Sequence, residues 1–357
     1  MTYAPPASYL HRIDMTNKNT AEAPRAGKPG EAFVRSFKST FTAAVMALSA
    51  FAATSARAEP VTIGAIYLDD VGFYAAVRKG IQDGAKSLGR DVNLLETNAR
   101  ADPGAEGSFI DRLISANAKA IVLSAVSSDG SVRAIRRAHE AGIPVVCYNT
   151  CINDEALKKY VYAYAVADPK QFGRQLGAVA ADYFLAQGIK AFKIAVLNCE
   201  FVEVCTLRRQ GFEEALKAKV PEFQIVLNQR GTVLDQAVSV SDQTLSAHPD
   251  VEAFVGEGGE AGVGAVRTVK QRNLVGKVVV FSADMSIAAA QELADNSVLK
   301  GVADVSGQGI GKLALEQALN GADKKPAASI VVPMTISIFK TSEDGKAWLA
   351  SHKDGLS

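Results

Sequence analysis

The chain reads as an α/β protein: two similar, doubly wound parallel-sheet domains, joined by a multi-strand hinge, with a ligand cleft between them. Three observations carry that reading. From residue 61 onward, short apolar and β-branched runs alternate with amphipathic segments almost without a break, the pattern of parallel strands covered by helices on both faces. The pattern also repeats. Ile63 to Gly80 and Ile194 to Gly211 each span 17 positions, from a first strand to a glycine inside the next helix, and GIQDGAKSLGRDVNLLETN lines up with GFEEALKAKVPEFQIVLNQ. No linker rich in Pro, Gly or Ser separates the halves, which predicts several crossings of the chain and hinges made of ordinary strand-to-helix joints. The expected division is 59–166 plus about 305–328 for the N-terminal domain and 167–304 plus about 329–357 for the C-terminal one.

Residues 1–58 stand apart. Positions 1–34 are polar with no apolar period; Arg35 and Lys38 then precede an uncharged apolar run over 41–53, and Ala56-Arg57-Ala58 supplies a small-x-small cleavage pattern before Glu59. The run is shorter than the ~20 apolar residues that a membrane span needs. This arm is expected to be a signal peptide, cleaved after Ala58 on export; Met15 is an alternative start to Met1.

Beyond it, strands are expected at 61–67, 92–97, 120–125, 144–148 and 160–165, then at 192–198, 223–228, 253–255, 278–282 and 301–303. Helices are expected over 104–116, 131–141, 172–186 and 235–247, with Asp168-Pro169 opening one of them through an N-cap acid and a first-turn proline. Residues 330–339 hold two short apolar runs around Pro333, and the polar tail carries the single Trp, Trp348, expected at the surface against the tail.

Charge excludes one function class. The formal net charge is +1, and of 39 Lys/Arg and 38 Asp/Glu, residues 1–58 hold 7 and 3, leaving a mildly acidic remainder of 32 against 35. Such a balance offers no electrostatic footprint for nucleic acid. The four cysteines fall in two close pairs, Cys147/Cys151 and Cys199/Cys205, each just after an apolar strand. An exported chain can close both as disulfides, shaping strand-end loops; four buried thiols are the alternative. Neither spacing has the His or Cys partners of a zinc site.

Catalytic motifs are absent: there is no G-x-S-x-G, H-E-x-x-H or G-K-[ST], and no nucleophile is paired with a base. Gly256-Glu257-Gly258-Gly259-Glu260-Ala261 formally matches a dinucleotide fingerprint, but it follows the wrong strand and its two acids would repel a pyrophosphate, so no cofactor is expected. What stands out is a set of polar residues at strand ends: Asp70, Asn149, Glu200, Glu257, Asp284 and Asp304. Ligands of open parallel sheets bind at those ends. Carboxylates there accept hydrogen bonds from hydroxyls, and Phe73 and Tyr74, at the end of the first strand, offer apolar faces, a combination suited to a neutral or cationic polyhydroxylated ligand.

From about residue 60 to 340 the chain resembles the periplasmic sugar-binding proteins of ABC importers, in the ribose-binding-protein-like branch of the type I periplasmic binding proteins. GFYAAVRKGIQDGAKSLG resembles the family's aromatic-then-helix segment and implies that Phe73 and Tyr74 stack on a sugar ring. AGIPVVCYNT resembles the strand that ends in a hydroxyl-gripping Asp-Arg, here Asn149-Thr150. LRRQGF implies that Arg208 is the second domain's binding arginine. AHPDVEAFVGEGGEAGVGAVR is similar to a segment ending in a binding Asn, here Gly258, with Glu257 as the nearest polar residue. VVVFSAD implies Asp284 as the binding aspartate, and GVADVSGQGIGKLALEQAL places Asp304 near the family's Gln. The departures at Asn149, Thr150 and Gly258 argue against ribose and leave an amino sugar, a neutral hexose or a polyol.

The function implied is capture of a monosaccharide-sized ligand by a monomer, without catalysis, and its delivery to an ABC-type permease. Sensing for a chemoreceptor fits the same residues. A lac-repressor-type regulator shares the fold, but its arm would show two short helices with a basic second one, where this chain has an apolar run.

Overall fold

A computed structural model describes residues 59–357; the expected signal peptide and its cleavage point lie outside the described residues. The first sheet comprises β1 (Val61–Tyr67), β2 (Val92–Asn98), β3 (Ala120–Leu123), β4 (Val145–Tyr148) and β5 (Ala163–Val166), all parallel, in the order 5-4-3-1-2. The second repeats this order with β6 (Lys193–Asn198), β7 (Gln224–Arg230), β8 (Ala253–Gly256), β9 (Val279–Ala283) and β10 (Leu299–Asp304). Each sheet reverses its winding between its first and third strands, the switch point at which open α/β sheets take ligands. Every strand position of β3, β4, β8 and β9 is buried, as continuous apolar runs covered on both faces require.

The chain crosses between the sheets three times. It leaves the first after β5, returns after β10, and leaves again after β11 (Val331–Pro333), which pairs in parallel with Tyr164–Val166. The next strand, β12 (Ser337–Phe339), runs antiparallel to β10 in the second sheet. The last crossing therefore falls after Pro333, a few residues beyond the expected boundary at about 328.

The 17-residue repeat has a packing cause. Helix α1 (Gly72–Ser87) crosses α10 (Gly307–Ala322) so closely that a Cβ at Gly80 would sit 2.1 Å from the Gln308 carbonyl oxygen. Helix α5 (Pro169–Ala186) crosses α6 (Glu203–Lys219) in the same way, with a Cβ at Gly211 falling 2.0 Å from the Lys170 carbonyl. In each domain the first helix meets its partner backbone to backbone, and only glycine permits the approach. Asp168 caps α5 as expected, accepting a hydrogen bond from the Gln171 amide at 2.9 Å, with Pro169 in the first turn.

Two expectations need correction. Residues 160–165 are not one strand: Asp154–Tyr160 forms a short helix, α4, capped by Asn153, acidic in its first turn and basic in its last, and the strand begins only at Ala163. Trp348 is not a surface residue. It is 2% exposed, in the second domain's core, because α11 (Ser342–Ser351) opens with a capping box between Thr341 and Asp344 and packs on α9 (Ile287–Asp295). His352 stacks on its ring at 4.4 Å.

An acid that the periodicity gave no reason to notice, Glu106 of α2 (Pro103–Ser115), is fully buried in the first domain. It accepts a hydrogen bond from the Val126 amide at 2.8 Å and so holds the loop after β3; burial raises its pKa. Among the described residues no helix is long and apolar enough to cross a membrane.

Candidate ligand-binding cleft

The strand-end residues gather by domain. In the first, α1 begins just past β1 and carries Phe73 and Tyr74, whose rings meet edge to face at 5.4 Å. The Tyr74 hydroxyl accepts a hydrogen bond from Asn149 Nδ2 at 3.1 Å and lies 3.5 Å from Ser124 Oγ. Asn149, in turn, has its carbonyl held by the Tyr164 hydroxyl at 2.7 Å. Thr150 is buried, and its hydroxyl bonds Ser124 Oγ at 2.6 Å and the Ala125 carbonyl at 2.7 Å. Thr150 thus supports the lobe from within, while Tyr74 and Asn149 remain half-buried at its face. Asp69 and Asp70 are exposed at the rim, where the Asp69 carboxylate accepts the Asp70 amide.

In the second domain the guanidinium of Arg208, on α6, lies over the Phe172 ring at 4.1 Å, with Nη1 3.8 Å from Asp284 Oδ1. Arg208 Nε is buried without a partner. Asp284 follows β9; burial raises its pKa, and Arg208 works against that rise. Asp304 ends β10, is 4% exposed and accepts the Met285 amide at 3.0 Å. Burial, with the charge of Asp284 added, pushes its pKa to about 7. Glu257 follows β8 and is 6% exposed; Oε2 accepts the Cys199 amide at 3.1 Å, whereas Oε1 is buried with no partner. Desolvation pushes its pKa to about 8. Glu200 is engaged elsewhere: it pairs with Arg209 and accepts from Asn228 Nδ2 at 3.1 Å. Burial alone would raise its pKa, but these hydrogen bonds, chiefly from Arg209, leave it lowered.

The Tyr74 phenol has its pKa raised by burial, and it also feels the charges of Arg208 and Asp284 from the opposite domain. The fold's internal symmetry is visible in the backbone. Asn149 and Asp284 occupy matching positions after the fourth strand of each sheet, and both are left-handed, with φ of 56° and 59°. Asn and Asp tolerate that conformation better than other side-chain-bearing residues, and it turns the side chain at the strand end. Ser124 and Glu257 match likewise, each directly after its third strand.

Both cysteine pairs are disulfides. Cys147–Cys151 closes the loop that presents Asn149 and Thr150. Cys199–Cys205 ties the end of β6 to the first turn of α6, three residues before Arg208. Among the described residues one group of potential metal ligands comes within 4.8 Å, the sulfurs of Cys199 and Cys205 with the Glu257 carboxylate. Both sulfurs are bonded to each other, so neither is a thiolate ligand.

Sequence reasoning missed Ser124, Tyr164, Phe172 and Arg209. Phe172 had a signal: Asp168-Pro169 fixes the start of α5 and so puts Phe172 in its first turn, at the strand-end side. The pairing of Arg209 with Glu200 had none beyond the i+9 spacing, which no regular element brings together.

Comparison with known proteins agrees with this architecture. A family described as periplasmic binding protein domain matches residues 65–326. The ABC transporter periplasmic-binding protein YphF of Escherichia coli (strain K12) is 50% identical over 323 residues, 90% of this chain and 98% of that protein. The D-allose-binding periplasmic protein of the same organism is 25% identical over 313 residues, 84% of this chain and 97% of that one. Among solved structures, an ABC transporter periplasmic solute-binding protein from Actinobacillus succinogenes 130z with bound D-allose superposes with a TM-score of 0.73 at 21% identity, covering 81% of this chain and all of that one.

Proposed function

From the premise that this chain belongs to the periplasmic binding proteins of ABC-type sugar transport, a family of solute-binding proteins rather than enzymes, we propose that its two domains close on one monosaccharide-sized ligand and hand it to a membrane permease. What supports the reading is the placement of Phe73, Tyr74 and Asn149 at the strand ends of one domain and of Arg208, Asp284 and Asp304 at those of the other. Tyr74 lies within electrostatic reach of Arg208 and Asp284.

Each face suits a polyhydroxylated ring. Tyr74 and Phe73 offer apolar edges and faces to C–H groups, and the Asn149 amide both donates and accepts. Arg208 donates in a planar fork to adjacent hydroxyl oxygens, and stacking on Phe172 fixes the plane of that fork. Asp284 accepts from hydroxyls. Neither face alone encloses a ring, so binding favours the closed arrangement by the difference in contacts between closed and open states. The disulfides hold the two loops that deliver Asn149 and Arg208 to the cleft, which lowers the ordering cost of closure.

The apolar run and cleavage pattern of residues 35–58 support export with cleavage before Glu59, the family membership supports a periplasmic location, and the N-terminal residue of the secreted protein tests the cleavage. Ligand capture is tested by thermal shift and calorimetry against hexoses, pentoses, amino sugars and polyols. Binding of one class with a micromolar or tighter dissociation constant, roughly −8 kcal/mol, is expected. No stabilisation by any of them overturns the reading.

A further inference from the structure

We propose that the ligand is an amino sugar whose ammonium group is received by the free oxygen of Glu257. The inference rests on the sugar-binding reading above and deepens it. The second domain gathers three carboxylates, Asp284, Asp304 and Glu257, within electrostatic reach of the one guanidinium of Arg208. Glu200 adds nothing to this excess because Arg209 pairs with it, and Arg209 is further engaged by Glu213. The strand-end residues named on the first domain, Phe73, Tyr74, Ser124, Asn149 and Tyr164, are neutral, and the exposed Asp69 and Asp70 near them are acids.

The decisive atom is Glu257 Oε1. It is buried and unpartnered, on a side chain 6% exposed, and Glu257 lines a hollow within the second domain, with Arg208, Phe172 and Val255, whose volume of about 20 Å³ suits an ammonium group rather than a whole ring. A buried carboxylate oxygen with no partner carries a large desolvation penalty unless a proton or a cation meets it. In the empty protein a proton serves, in keeping with the raised pKa of about 8. The groups acting on Glu257 are few: Glu200 favours the protonated form, the Cys199 amide, Arg208 and Arg209 favour the ionised one, and burial outweighs them. Arrival of an ammonium reverses the balance. The proton leaves Glu257 for the solvent, and the carboxylate and ammonium form a charge-assisted hydrogen bond. A neutral sugar gives no such reversal, since the protonated acid can donate to a hydroxyl oxygen and stay protonated.

The two cases differ in protons released. Calorimetry at pH 6.5 in buffers of small and large ionisation enthalpy, with galactosamine, glucosamine and mannosamine against galactose, glucose and mannose, reads them directly. The expectation is release of about one proton on binding the matching amino sugar, and affinity about ten- to a hundredfold above that of its neutral parent. N-acetylgalactosamine, which lacks the charge, should bind like the neutral sugars. Glu257→Gln should abolish both the proton release and the preference. The wild-type proton count stands by itself should that variant not fold. Equal or tighter binding of the neutral sugar, or amino-sugar binding without proton release, overturns the ammonium assignment and leaves sugar binding intact. Failure of every sugar, charged or neutral, overturns the sugar reading itself.

Discussion

Arg208→Ala is the sharpest single perturbation of the cleft. The side chain is 12% exposed, and its guanidinium lies 4.1 Å above the Phe172 ring, with Nη1 3.8 Å from Asp284 Oδ1. Truncation removes two quantities that can be separated. Without ligand, the fold loses one partly desolvated cation–π contact, about 0.5–2 kcal/mol, and a long ion pair worth less. It is also relieved of the buried, unpartnered Nε. The net change in apo stability should therefore be about 1 kcal/mol. With ligand, the protein loses charged hydrogen bonds worth about 2–3 kcal/mol, a 30- to 150-fold rise in Kd at 25 °C. The assay pairs urea unfolding of the apo protein with calorimetry on the tightest sugar of the panel. Arg208→Lys should recover only part of the affinity, because the charge returns without the planar fork. A folded Arg208→Ala protein whose Kd lies within twofold of the wild type would remove Arg208 from the site and refute the reasoning.

Acidity should act on the empty protein in an unusual direction. Glu106, Asp284, Asp304 and Glu257 all have raised pKa values, so the folded state holds protons that the unfolded state has lost. Stability then falls as pH rises from the ordinary carboxylate range near 4 to about 8, and Glu257 alone contributes on the order of 5 kcal/mol at most. Apo Tm should be lower at pH 8.5 than at pH 5.5, with Glu257→Gln flattening the slope; a Tm that rises over this interval contradicts the assignment. Gly80→Ala and Gly211→Ala each drive a methyl into a carbonyl oxygen of the crossing helix and should destabilise by about 1–3 kcal/mol in urea melts. Replacing both Cys199 and Cys205 by Ser should cost about 2 kcal/mol of stability, given the short loop, and should weaken ligand binding as the start of α6 loosens. Trp348→Ala, deep in the second core, should cost about 3–5 kcal/mol and leave calorimetric affinity unchanged.

What the sequence made legible is whatever local chemistry determines. Buried parallel strands announce themselves as continuous β-branched runs, so the alternation and the doubled architecture are legible in the chain alone. The glycine spacing was visible as a repeat, though its cause, backbone contact between paired helices, needs the partner helix to be seen. Helix α4 was overlooked because its seven residues are too few for a periodic signal. Trp348 reads as a surface residue although Thr341 and Asp344 spell a capping box, because a polar helix with one buried face carries little periodicity.

At the cleft, the residue types at strand ends were legible and their partners were not. Glu200 and Glu257 look alike in sequence, each an acid just past an apolar strand. Only the fold reveals that Arg209 and Asn228 occupy one while the other keeps an unpartnered oxygen. The left-handed turns at Asn149 and Asp284 were likewise hidden until the two sheets could be matched strand for strand.

The most direct test of the central claim is a crystal structure of the protein with the tightest sugar of the panel. The account predicts one ring between the domains, with Phe73 or Tyr74 against its C–H face, Arg208 and Asp284 on its hydroxyls, and Asn149 within hydrogen-bond distance from the other side. A sugar bound to one domain alone, or anywhere outside this cleft, would contradict it.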